Sequence, residues 1–163
     1  MNMQNLNRPG RALAAAAAVA LSAVCAVPQA VSAPSDDDAV TCSARTLRGV
    51  YRFHASGFAI VNGAAVPKAI IETLIFDGRG NVLTPQVSLS FNGTIIQPPQ
   101  GAPGVYTVDA NCTGKLAFSD AGAVTFDLHV NPYGKTVHML QTNANTVMEG
   151  TAEREWSLAQ WGG

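Results

Sequence analysis

The sequence predicts an all-β domain, a closed antiparallel up-and-down β-barrel of about eight strands, preceded by an export signal. Three observations carry that expectation. Downstream of residue 41, apolar and polar residues alternate with a period of two, and no stretch offers convincing helical periodicity. Clusters of Gly, Pro, Asn and Asp interrupt the alternation at short intervals, as hairpin connections do. Consecutive hairpins make a meander, and closure removes the two edges that a flat meander would expose. Eight strands enclose room for side chains or for one small ligand. An immunoglobulin-like sandwich fits less well, because its usual Cys and Trp spacing is missing.

The N-terminal segment precedes the barrel. Residues 1–11 carry Arg8 and Arg11 without an acid, and residues 12–26 are an almost unbroken run of Ala, Val and Leu. Small residues follow at Ala26, Ala30, Ser32 and Ala33. This order reads as a cleaved secretory signal over residues 1–33, cut at a point between 26 and 33. A transmembrane helix needs roughly 20 apolar residues, so no membrane anchor is expected after cleavage. The expected compartment is the periplasm or exterior of a bacterium. Residues 34–41, with Asp36, Asp37 and Asp38, read as a solvated acidic linker.

The barrel spans residues 42–154. In residues 47–54, Tyr51 and Phe53 share one face, with Arg52 and His54 on the other. Residues 69–76 are apolar apart from Glu72 and Thr73, and end in the turn Asp77-Gly78-Arg79-Gly80-Asn81. Val87, Leu89 and Phe91 alternate with serines up to the hairpin dipeptide Asn92-Gly93, after which residues 94–97 return. A loop with Pro98, Pro99 and Pro103 leads to short strands over residues 105–109 and 114–119. Asp120-Ala121-Gly122 then turns into Val124, Phe126, Leu128 and Val130, which alternate without error. Asn131-Pro132-Tyr133-Gly134 suits a bulged three-residue hairpin loop, and residues 136–142 and 146–154 complete the set. The tail, residues 155–163, has room for one helical turn, with Trp156 and Trp161 covering an open end.

Charge and cysteine usage narrow the partners. Removing Arg8 and Arg11 leaves eight basic residues against eleven acids, a net −3. Without a basic stripe such a domain is a poor match for nucleic acid or anionic lipid. Cys25 departs with the signal, so Cys42 and Cys112 remain as an even pair, expected to form one disulfide in an oxidising compartment. It would close a loop of about 70 residues. A catalytic or metal-binding thiol pair would call for CxxC spacing, which is absent.

Among polar residues Glu72 stands out. It shares its face with Ile70, Leu74 and Phe76, so an inward orientation buries a carboxylate in an apolar barrel and makes it a general acid or base. The competing expectation is a rim or outward Glu72, or one paired with Arg52 or Arg154. His129 and His138 flank the Pro132 turn. A two-residue loop would set them face to face as metal ligands; the bulged loop instead opposes His129 to Val137. No metal or other cofactor is therefore expected. Tyr51, Phe53, Phe76 and Phe126 are the candidate ligand-binding aromatics, although period-two aromatic stripes are more often plain core. No Gly-x-Ser-x-Gly elbow, phosphate-binding glycine loop or Cys-His nucleophile pair occurs.

A string of landmarks completes the picture. Cys42, Leu47-x-Gly49-x-Tyr51-x-Phe53 and residues 74–82, Leu-Ile-Phe-Asp-Gly-Arg-Gly-Asn-Val, come first. Gly104-Val105-Tyr106, Asn111-Cys112-Thr113-Gly114, Phe126-Asp127-Leu128 and Met148-Glu149-Gly150-Thr151 follow. Together they resemble a group of secreted bacterial proteins similar to the allene oxide cyclase barrel-like families of the calycin type. The resemblance covers residues 42–154 and implies a calycin-type barrel. Related cyclases isomerise or cyclise substrates inside an apolar cavity. None of their catalytic residues matches a position here, so none is carried over, and a shared fold supplies no reaction. The leading expectation is an exported barrel that binds a small apolar or amphipathic ligand in its interior. The alternatives are a metal-free isomerase or cyclase with Glu72 as acid/base, and an envelope or matrix protein with a filled barrel. The sequence leaves the oligomeric state open.

Overall fold

Short alternating segments and tight turns do build strands that wrap into a barrel. The computed structural model of the protein describes residues 40–119 and 123–161. The export signal, the Asp36–Asp38 run and the Asp120-Ala121-Gly122 turn lie outside the described residues, as does the side chain of Trp161. The described strands are β1 (Gly49–Val61), β2 (Ala64–Phe76), β3 (Asn81–Phe91), β4 (Thr94–Ile96) and β5 (Ala102–Val108). They continue with β6 (Thr113–Phe118), β7 (Thr125–Val130), β8 (Thr136–Gln141) and β9 (Thr146–Trp156), followed by the one-turn helix α1 (Leu158–Trp161).

The pairings are antiparallel. The order β2-β1-β9-β8-β7-β6-β5-β3 is closed by pairing of β2 with β3, giving an eight-stranded barrel. β4 is an extra strand folded back on the end of β3 through Asn92-Gly93. Both turn residues have positive φ, 49° and 79°, as a tight hairpin matching strand twist requires. Asn tolerates that region better than other side chains bearing a Cβ. Asn92→Ala is therefore expected to cost about 1 kcal/mol in urea denaturation, with an unchanged m-value.

β1 and β2 run further than their alternation suggests, because Gly57 and Pro67 obscure the pattern. Gly57 is required by packing: a Cβ there would collide with the Val147 carbonyl oxygen on β9. Their hairpin turns at Asn62-Gly63, a second pair of positive-φ residues (51° and 80°). In β3 the register with β2 shifts between Thr73 and Ile75, so Thr84 and Pro85 both lie opposite Leu74. Proline, lacking an N–H, is tolerated at such a bulge.

One end of the barrel is sealed. A 3-10 turn, Ala44–Leu47, places Leu47 fully buried in the core. The disulfide Cys42–Cys112 pins that turn to the β5–β6 connection, with Cα atoms 5.0 Å apart. Carbonyl oxygens of the turn accept two side-chain bonds, Tyr106 Oη to Ala44 O (2.8 Å) and Arg154 Nη2 to Thr46 O (2.7 Å). Above it Tyr51, Phe76 and Tyr106 meet edge to face, with centroids 5.2 and 4.9 Å apart. Phe53 meets Phe126 in the same way at 5.8 Å. Leu74, Leu116, Leu128, Val137, Met139 and Ala152 fill the rest of this half. Among the described residues, no helix is long and apolar enough to cross a membrane.

Candidate functional site

The other half of the barrel is hollow. A cavity of about 340 Å3 lies between the inner faces of β2, β3, β6, β7, β8 and β9, the start of β5 and the loop bearing Pro98 and Pro99. Alternation along β2 sends Lys68, Ile70 and Glu72 into it, and the bulge of β3 turns Thr84 the same way, beside Val87 and Leu89. Phe118, Phe126 and Met148 form its apolar floor and wall.

Glu72 is 6% exposed and faces this cavity, in place of the rim or outward position that ion-paired carboxylates more often take. Neither arginine expected as a partner reaches it. Arg52 spans the outer wall to Thr73 Oγ1 (2.8 Å) and Glu155 Oε2 (3.1 Å). Arg154 donates from Nε and Nη2 to Tyr51 Oη, at 3.0 and 2.9 Å. Burial without a compensating bond pushes the Glu72 carboxyl up from 4.5 to about 7. Thr84 Oγ1 is also buried without a hydrogen-bond partner, the kind of orphan that native proteins rarely leave.

Towards the mouth, Lys68 Nζ donates to Gln141 Oε1 (2.9 Å). Gln141 Nε2 donates in turn to Asn143 Oδ1 (2.9 Å), which also accepts from Thr125 N (2.9 Å). Gln141 is thus 8% exposed with both ends of its amide hydrogen-bonded, and burial lowers the pKa of Lys68. The cavity therefore combines an apolar body with a titratable carboxyl deep inside and a cation near its opening.

Of the four candidate aromatics, Phe126 lines the cavity, while Tyr51, Phe53 and Phe76 belong to the filled half. Tyr51 is fully buried and donates its hydroxyl to Gly134 O (2.6 Å); desolvation raises its pKa despite the Arg154 guanidinium. Lys68, Thr84 and Gln141 were not apparent in the sequence. Lys68 carried one usable signal, since it sits two alternations before Glu72 on the same face.

The histidine register differs from the sequence expectation. Asn131 N bonds Thr136 O (2.9 Å), leaving four residues in the loop, so His129 pairs with His138 and not with Val137. Both rings are exposed on the outer wall, and His138 Nδ1 lies 3.3 Å from Thr151 Oγ1. Even so, no group of three His, Cys, Asp or Glu suited to a metal ion occurs among the described residues.

No protein-family model, curated protein or solved structure matches this chain.

Proposed function

We propose that the protein is an exported barrel that binds a small apolar or amphipathic ligand in the half-open interior. The carrying observation is the cavity of about 340 Å3 whose deep polar groups, Glu72 and Thr84 Oγ1, have no protein partner. Drug-sized pockets begin at about 300 Å3, and buried polar groups without partners are costly until something bonds them. A ligand with an apolar body and one hydrogen-bonding group would meet both demands. Export rests on the Arg8–Ala33 signal pattern and fits a disulfide-bonded domain. The landmarks shared with allene oxide cyclase barrel-like proteins support the same architecture.

Val87 lines the cavity beside Glu72, and enlarging it tests the reading. Val87→Phe is expected to weaken binding of an apolar fluorescent probe about tenfold, with the unfolding midpoint little changed. Native mass spectrometry of protein taken from its own exporting cells should show a copurifying small molecule, lost in the same variant. Unaltered probe binding together with an empty mass spectrum would overturn the proposal.

One observation favours a second reading, a metal-free isomerase or cyclase. A carboxyl raised to about 7 in a mostly apolar cavity is matched to proton transfer at neutral pH. Turnover that disappears in Glu72→Gln while ligand affinity persists would distinguish catalysis from carriage. The cavity weighs against an envelope protein with a solidly filled barrel.

A further inference from the structure

At the sealed end, on the outside, lies a second concavity of different chemistry. Arg45 from the 3-10 turn, Arg48 just after it, and Arg79 from the β2–β3 turn line a cleft of about 640 Å3, with Asp77, Gly78 and Leu158. Three of the ten basic residues of a chain with net charge −1 thus face one depression. No hydrogen bond or ion pair engages their guanidinium groups among the described residues.

Among the described residues, the one carboxylate that lines the cleft is committed elsewhere. Asp77 Oδ1 accepts from Arg79 N (2.6 Å) and Asn81 N (3.0 Å), and its Oδ2 accepts from Asn81 Nδ2 (2.6 Å). Asp77 therefore holds the turn that presents Arg79, while Arg79 acts on it only through space. Arg48 is also positioned. Its side-chain stem crosses Gly78, whose φ is +76° and where a Cβ would stand 2.9 Å from Arg48 Cβ. Arginines of like charge repel one another, and an anion between them relieves that repulsion. Guanidinium forks suit tetrahedral oxyanions, and a phosphate monoester brings close to two negative charges and three terminal oxygens.

We propose that this cleft binds a phosphate monoester group, with Arg45, Arg48 and Arg79 as its ligands. The site is separate from the interior cavity, shares no residue with it, and stands or falls independently. The test is calorimetric titration of the full chain with inorganic phosphate at low ionic strength. One saturable site is expected, weakened about tenfold or more by Arg48→Gln or Arg79→Gln. Arg48→Lys, which keeps the charge and loses the fork, should also weaken it. Lys115→Gln, on the outer wall and paired with Asp127, should not. Absence of saturable binding at millimolar phosphate, or equal weakening by Lys115→Gln, would overturn the proposal. Vesicles of phosphatidylcholine with or without phosphatidic acid identify the source. Cosedimentation that needs phosphatidic acid and Arg48 assigns the phosphate to a lipid, whereas phosphate binding without cosedimentation assigns it to a soluble ester.

Discussion

Glu72→Gln is expected to be more stable than the parent protein by about 3 kcal/mol at pH 8 and equal to it below pH 4. In the folded protein the carboxyl keeps its proton until about pH 7, whereas in the unfolded chain it ionises near 4.5. Between those values the unfolded state binds fewer protons, so the parent loses stability as pH rises, and the loss is complete once pH passes the folded value. Glutamine has nearly the same shape and no charge to desolvate, which removes that slope. Urea denaturation in ligand-free buffer at pH 4, 6 and 8 measures it directly. A parent that gains stability from pH 5 to 7, or a Gln variant weaker at pH 8, would contradict the placement of this carboxyl. The comparison also separates stability from function. A group that destabilises the empty barrel at neutral pH is the kind of residue that binding or catalysis retains.

The second large effect belongs to the disulfide. Replacing Cys42 and Cys112 together by Ser is expected to cost about 4 kcal/mol, on the chain-entropy estimate for a loop of 70 residues. For a domain of this size that lowers Tm by on the order of 15 °C. The loss should be felt first at the sealed end. The Ala44–Leu47 turn is otherwise fixed by the burial of Leu47 and by the bonds from Tyr106 and Arg154. Scanning calorimetry of oxidised, reduced and doubly substituted protein checks this. A shift below about 3 °C in both altered forms would mean that the plug holds without its covalent tie.

How far the sequence carried the fold depends on where alternation survived. Val124 to Val130 alternate without error, and Ile70, Glu72, Leu74 and Phe76 share a face as read. The face that carries Glu72 was therefore legible, although its inward orientation and its lack of a partner were not, because these depend on how the barrel closes and where Arg52 and Arg154 point. Lys68 was hidden by Pro67, which reads as a strand end and instead lies within β2 opposite Phe58. Thr84 was hidden by the bulge. Val82 and Val87 are both buried five positions apart, an odd spacing that a regular strand forbids. The His129–His138 pairing turned on one residue of loop length, which Asn-Pro-Tyr-Gly alone does not fix. Nor does periodicity say whether an interior is full. Three of the four aromatics pack the sealed half, and the empty half follows from side-chain sizes summed across seven strands and a proline loop.

The division of β3 between two neighbours has a mechanical consequence. β5 pairs with residues 81–84 and β4 with residues 89–91, so residues 86–88 pair with β2 alone, and Pro85 sits unpaired in the bulge. Across that gap stand Ser88 and Gln97, joined by side-chain contacts of 3.3 and 3.4 Å, and then Pro98 and Pro99, whose nitrogens have no hydrogen to donate. A barrel yields first where its staves share the fewest bonds. The stretch of β3 with the fewest ladder partners thus runs along the flank of the hollow half, beside Val87, and local opening of the wall is expected there before it reaches the plugged end.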